Sequence, residues 1–211
     1  MNTQIDQIMK KTQRYWYVDG LAEIGTGVML LALGLAYFGI GYLPWKAVKV
    51  LLLGLAMPVV ILAGMVVARW LVNKAKERIT YPRTGYIEYR RPRTARRWIF
   101  ILVSGVVSAG MIALLVNFMP ILGDRFVMAL TGVLVFFMMC VLAFQVSVWR
   151  FLLVGAAALA GGLAGTFFEL PDAFGSALFF AMFGAAWLVS GGLTLRRYLA
   201  STRPAGEEID E

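Results

Sequence analysis

Apolar residues along the chain are gathered into six long runs that contain no Asp, Glu, Lys or Arg. These uncharged runs cover residues 24–45, 50–68, 98–123, 126–149, 151–168 and 173–195. Because an α-helix rises about 1.5 Å per residue, roughly 20 apolar residues cross a hydrocarbon core of about 30 Å. Each run is long enough to do so, or nearly so. The pattern predicts an all-α, polytopic membrane protein with six transmembrane helices.

Short connections between the runs determine the predicted arrangement of these helices. The predicted spans, inside one transmembrane domain over 18–199, are 18–43, 47–70, 97–119, 125–147, 149–169 and 173–196. Pro44, Pro120 and Pro171 mark the three outer turns, where a proline stops one helix before the next begins. Short links make consecutive helices antiparallel neighbours, so we expect three antiparallel hairpins in one bundle.

Composition supports the same class of protein. Hydrophobic residues make up 60% of the chain and charged residues 15%, and the mean hydropathy is +0.76. Such values are outside the range of an ordinary soluble domain. Residues 1–17 are too polar for a cleavable signal and predict a short amphipathic helix at the membrane interface. The acidic end of the chain, 200–211, predicts a disordered tail.

Basic residues predict the orientation of the bundle. With both termini cytoplasmic, the inside segments 1–17, 69–97, Arg150 and 196–211 hold 17 of the 20 basic residues. The positive-inside rule therefore favours this orientation, because the opposite one would translocate the most basic loop. We expect a multi-pass protein of a prokaryotic plasma (inner) membrane.

The first span carries a regular glycine pattern, which we call the glycine seam. Its members, spaced by seven residues, are Gly20, Gly27, Gly34 and Gly41. A seven-residue period keeps these positions on one face of a helix in a left-handed crossing, and glycine allows another backbone to approach closely. The pattern predicts a packing surface, and its partner is either another helix of the same chain or a second copy in a homo-oligomer.

Two acids, Asp19 and Glu23, lie near the beginning of the same span and share a face at a spacing of four residues. A carboxylate at the hydrocarbon edge is costly and needs a partner, water or a proton. If the first two spans turn near Pro44, Arg69 is the cation nearest Asp19, and Arg83 or another loop arginine could reach Glu23. One interpretation is a structural ion pair and helix cap. The other is a proton- or cation-responsive site.

A basic cytoplasmic loop is predicted at 71–96, where tyrosines alternate with arginines. Its candidate lipid- or partner-binding residues are Tyr81, Arg83, Tyr86, Tyr89, Arg90, Arg91 and Arg93. Tyrosine rings fit among lipid headgroups and guanidinium groups bind phosphates. The loop could simply fix topology, or it could bind anionic lipid or a protein. We do not expect nucleic-acid binding, because the adjacent membrane already accounts for the positive charge.

Catalysis has little support in the sequence. The chain has no histidine, which removes Ser-His and Cys-His nucleophilic sites and the usual metal sites. We therefore predict no cofactor, no metal and no catalytic residue, and we lean against an enzyme. The function that the sequence favours is a membrane-embedded scaffold, subunit or regulator that uses the Arg/Tyr loop. The alternative is a small transporter or channel that responds through Asp19 and Glu23.

Overall fold

The structure, a computed structural model, describes residues 17–84 and 126–202, together with 110, 113 and 117. All regular structure in these residues is helical. The helices are α1 (Leu21–Gly41), α2 (Lys46–Leu51), a π-helical segment (Leu52–Ala56), α3 (Met57–Ile79), α4 (Tyr81–Thr84), α5 (Val127–Val146), α6 (Arg150–Phe167) and α7 (Asp172–Ser201).

Five of these helices, α1, α3, α5, α6 and α7, are long and apolar enough to cross a membrane. They correspond to the first, second, fourth, fifth and sixth predicted spans. The third predicted span, 97–119, lies outside the described residues except for Gly110, Ala113 and Asn117, which are helical. The predicted N-terminal helix (1–17, except Tyr17), residues 85–96 of the basic loop and most of the acidic tail also lie outside them.

Turn residues account for where the long helices begin and end. α1 begins after Gly20, whose φ of 69° lies in the left-handed region that favours glycine. At its other end, the Lys49 ammonium donates a hydrogen bond to the Gly41 carbonyl (2.9 Å), which satisfies a terminal acceptor. Ser147, also with a positive φ of 56°, closes α5, and Pro171 precedes α7.

The second span is longer than the sequence predicts. α2, the π-helical segment and α3 follow one another without a break from Lys46 to Ile79, although the predicted end was residue 70. The π-helical segment ends just before Pro58, whose ring has no N–H to donate to the preceding turn. A wider turn is one way in which a membrane helix accommodates such a proline.

The described helices pack against neighbours along the chain and, in one case, against a helix that is distant in the sequence. α1 packs most extensively against α7, the last helix of the chain, and less extensively against α3. α6 packs between α5 and α7. The described helices are therefore arranged in the order α5, α6, α7, α1, α3.

Large apolar side chains are exposed on every spanning helix. Leu35, Val66 and Leu153 are 72%, 70% and 75% exposed. An apolar surface distributed over all the helices is expected where lipid, not water, surrounds the bundle. The buried core is correspondingly small and includes Phe151 and Trp187, whose ring centroids are 5.1 Å apart.

Candidate functional site

Four helix ends meet at one end of the bundle, which we call the basic end. The beginnings of α1 and α6 are joined there to the final turns of α3 and α7 by polar side chains. The two acids that the sequence singles out lie at its centre, and both are buried: Asp19 is 1% exposed and Glu23 is 0% exposed.

Glu23 forms an ion pair with Arg150, the first residue of α6. Its Oε1 accepts hydrogen bonds from Arg150 Nε (2.9 Å) and from Arg150 Nη2. Its Oε2 accepts the Ser190 hydroxyl of α7 at 2.6 Å. Both carboxylate oxygens are therefore engaged, and a single side chain of α1 connects the helix to α6 and α7.

Arg150 also connects α6 to Tyr17, in the short segment before α1 begins. Its Nη2 donates to the backbone carbonyl of Tyr17 at 2.6 Å. The Tyr17 ring packs edge-on against Phe151, with ring centroids 5.2 Å apart. Arg150 is 32% exposed, so its guanidinium group lies between the buried acid and the surface of the bundle.

Asp19 forms a second ion pair, with Lys76 near the end of α3. Lys76 Nζ lies 3.0 Å from Asp19 Oδ2, and the two side chains are 3% and 1% exposed. The Thr80 hydroxyl donates to the same oxygen at 2.9 Å. Asp19 Oδ1 accepts the backbone N–H of Leu21 at 3.1 Å, which satisfies one of the free donors at the start of α1.

The partners predicted from the sequence were wrong for both acids. Arg69 is exposed, and Lys76 is the cation that pairs with Asp19. Lys76 follows Arg69 by seven residues, so α3 lies about two helical turns further along α1 than the predicted hairpin would place it. Gly25 accordingly lies against Val72, and Gly64 against Met29.

The predicted pairing of Glu23 with Arg83 or another loop arginine is also wrong, because Arg150 is the residue that pairs with Glu23. Arg83 Nη1 donates instead to the carbonyls of Thr202 (2.5 Å) and Leu199 (3.3 Å). Cations are favourable at a helix C-terminus, where carbonyls lack partners within the helix. Arg83 therefore holds the segment that follows α3 against the end of α7.

The glycine seam lies along α7 of the same chain. A Cβ on Gly20 would be 2.3 Å from the Gly191 carbonyl oxygen, and one on Gly27 would be 2.9 Å from that of Gly184. Further along, Gly34 lies against Ala177 and Gly41 against the Phe174 ring. The pairing runs in opposite directions along the two helices, so α1 and α7 are antiparallel.

Sequence reasoning missed the complementary half of this contact. Ala177, Gly184 and Gly191 are spaced by seven residues on α7, the same period as the glycine seam. Two stripes of small residues with the same period would have allowed the contact between the first and last spans to be predicted. It would also have indicated that this surface is occupied within the chain.

Of the predicted loop site, the structure describes Tyr81 and Arg83 only. Tyr81 begins α4 and is half-buried. The remaining predicted members, Tyr86, Tyr89, Arg90, Arg91 and Arg93, lie outside the described residues. Arg83 lies at the basic end, next to the final turn of α7.

Charge is divided unequally between the two ends of the described bundle. The basic end carries Arg69, Lys74, Lys76, Arg78, Arg83, Arg150, Arg196 and Arg197, against Asp19, Glu23 and Glu77. At the opposite end, Lys46 and Lys49 are balanced by Glu169 and Asp172. Because two of the three acids at the basic end are buried in ion pairs, its exposed surface is strongly positive.

Within residues 17–84 and 126–202, no group of three or more Asp, Glu or Cys side chains lies together as a metal site would require. Comparisons of the chain with protein-family models, with curated proteins and with solved structures found no match.

Proposed function

We propose that this protein is a non-enzymatic scaffold, subunit or regulator embedded in a membrane, which holds anionic lipid or a protein partner at its basic end. The observation that carries the proposal is the exposed positive surface where α3 and α7 end. Segment 81–93 begins at this surface with Tyr81–Thr84, and we propose that its arginines and tyrosines contact the ligand.

The buried ion pairs support a structural role for the two acids. Each carboxylate oxygen of Glu23 and Asp19 already accepts at least one hydrogen bond. A cation such as Ca²⁺ takes six to eight oxygen ligands, and these oxygens have other partners. The acids and their paired cations fix the helix ends, and other bases at this end are exposed on the surface: Lys74, Arg78, Arg196 and Arg197.

The same charge distribution supports an orientation. Basic residues are retained on the cytoplasmic side of membranes, so we place the basic end and both termini in the cytoplasm. The plasma membrane of a prokaryote is the membrane that we propose. In its inner leaflet, each basic residue near anionic lipid contributes about 1 kcal/mol of attraction.

A test of the proposal removes three charges from segment 81–93. The triple variant Arg90→Gln, Arg91→Gln and Arg93→Gln is compared with a control that removes three charges from the other end, Lys46→Gln, Lys49→Gln and Arg125→Gln. Both are reconstituted in nanodiscs of mixed anionic and zwitterionic lipid, and the anionic lipid retained is counted by native mass spectrometry.

We expect the first variant to lose retained anionic lipid with its thermal stability unchanged. The control should keep the lipid, although it loses the hydrogen bond from Lys49 to the Gly41 carbonyl and is somewhat less stable. Equal retention in the two variants would contradict a role of segment 81–93 in lipid binding. The alternative, a small transporter or channel, would be favoured if liposomes show proton or cation flux that Glu23→Gln abolishes.

A further inference from the structure

An exposed stripe on α3 combines an aromatic ring with two cations. Its members, spaced by four residues, are Trp70, Lys74 and Arg78, and we call it the α3 stripe. Trp70 is 57% exposed, and Lys74 and Arg78 are exposed as well. The inner face of α3, which includes Val72 and Lys76, packs against α1. The stripe lies on the opposite face of α3, which points away from the other described helices.

Below Trp70 the same face of α3 is apolar. Val67 and Val59 are 54% and 65% exposed, and they precede Trp70 on the outward side of the helix. Apolar side chains at this depth contact acyl chains. Trp70 lies where this apolar surface gives way to charge, which is the position that indole rings prefer at a membrane interface.

Lys74 is already folded back over the indole. Its Nζ lies 4.7 Å from the centre of the Trp70 ring, within the range of a cation–π contact. Side chains on a helix lean toward its N-terminus, which for α3 is the direction of the membrane. The charges of Lys74 and Arg78 are therefore directed toward the headgroup layer, just above Trp70.

We infer that the α3 stripe binds one anionic phospholipid, with its phosphate between Lys74 and Arg78 and an acyl chain along Val67 and Val59. Charge complementarity selects an anionic headgroup over a zwitterionic one, because the latter brings its own cation to the two basic side chains. Trp70 would cover the glycerol region. This site is separate from segment 81–93 and stands even if that segment binds no lipid.

One acid near the α3 stripe should weaken lipid binding, so its removal should strengthen it. Glu77 is exposed beside Arg78, where its negative charge lowers the attraction for phosphate. Replacing it with glutamine should strengthen binding, whereas removing Lys74 and Arg78 should weaken it. A change of about 1 kcal/mol for each charge corresponds to about fivefold in affinity.

The experiment measures quenching of Trp70 by brominated lipid in the full-length protein. Vesicles of zwitterionic lipid receive a rising fraction of either brominated phosphatidylglycerol or brominated phosphatidylcholine. The signal of Trp70 is isolated by subtracting the fluorescence of a Trp70→Phe variant, which removes the contribution of the other five tryptophans. The charge variants are each made with and without Trp70→Phe.

We expect wild type to reach half-quenching at a lower fraction of brominated phosphatidylglycerol than of phosphatidylcholine. Lys74→Gln with Arg78→Gln should abolish the difference, and Glu77→Gln should increase it. The control Arg196→Gln with Arg197→Gln removes two exposed charges from the same end but away from the stripe, and should leave the difference unchanged. Equal quenching by both lipids in wild type would overturn the inference. So would an equal reduction of the difference between the two lipids in both double variants.

Discussion

Gly20 and Gly191 are in backbone contact across the interface between α1 and α7. A Cβ on Gly20 would lie 2.3 Å from the Gly191 carbonyl oxygen, and the φ of Gly20 is +69°. Both facts require glycine at this position. The contact lies directly beside Asp19, so the close approach of the two helices and the buried ion pair at the basic end depend on the same few residues.

Gly20→Ala should therefore destabilise the protein by about 2 kcal/mol or more. The left-handed conformation alone costs a residue with a Cβ about 1–2 kcal/mol, and the overlap with Gly191 adds to this. The unfolding free energy can be measured by titrating SDS into folded protein in mild detergent. Gly39→Ala is the matched control, because a Cβ at Gly39 meets nothing within 4 Å and alanine favours a helix interior. Equal destabilisation by both changes would contradict the packing described here.

The contact between α1 and α7 within one chain can be tested by a disulfide. A Cβ on Gly34 would lie 3.4 Å from the Phe180 Cβ, close to the usual separation in a disulfide. Gly34→Cys with Phe180→Cys, in a Cys140→Ala background, should give an oxidised product that migrates as a monomer on a non-reducing gel. A covalent dimer would mean that the glycine seam joins two copies. Gly39→Cys with Phe180→Cys is a control that should not cross-link.

Glu23→Gln should lower the free energy of unfolding by about 3 kcal/mol. Breaking a buried ion pair typically costs about 3–5 kcal/mol, and the low end applies because Arg150 is partly exposed. The double variant Glu23→Gln with Arg150→Gln should be less destabilised than the sum of the two single variants. Strict additivity in this double-mutant cycle, measured by SDS titration, would show that the pair is not coupled.

Lys76→Met should destabilise the protein because Asp19 would remain buried without its cation. Lys74→Met, an identical change two positions earlier on the exposed side of α3, should leave the free energy of unfolding within about 0.5 kcal/mol of wild type. Adding Asp19→Asn to Lys76→Met should recover part of the loss. If both lysine variants are equally stable, the ion pair contributes nothing to the fold.

The uncharged runs of the sequence were sufficient to locate the spanning helices that the structure describes. α1, α5, α6 and α7 begin and end within a few residues of their predicted bounds, except that α7 continues to Ser201. The extension of α3 to Ile79 was not predicted, because Arg69 ends the uncharged run and Lys74, Lys76 and Arg78 follow it. These residues can continue a helix beyond the hydrocarbon core, and hydropathy does not distinguish this from a loop.

The partners of the two acids could not be derived from the order of the helices. Glu23 pairs with Arg150, and 127 positions separate them in the sequence. Connection length favours sequential neighbours, whereas the pairing of α1 with α7 follows from two small-residue stripes on distant helices. Asp19 and Glu23 were correctly singled out as acids that need partners, since a buried carboxylate has that requirement in any fold.

The most direct measurement of the central claim is native mass spectrometry of wild-type protein extracted gently from its membrane into nanodiscs. We predict that the chain retains a defined number of anionic phospholipids or a stoichiometric protein partner. A homo-oligomer that carries neither would contradict the scaffold role and would instead indicate a pore assembled from several copies.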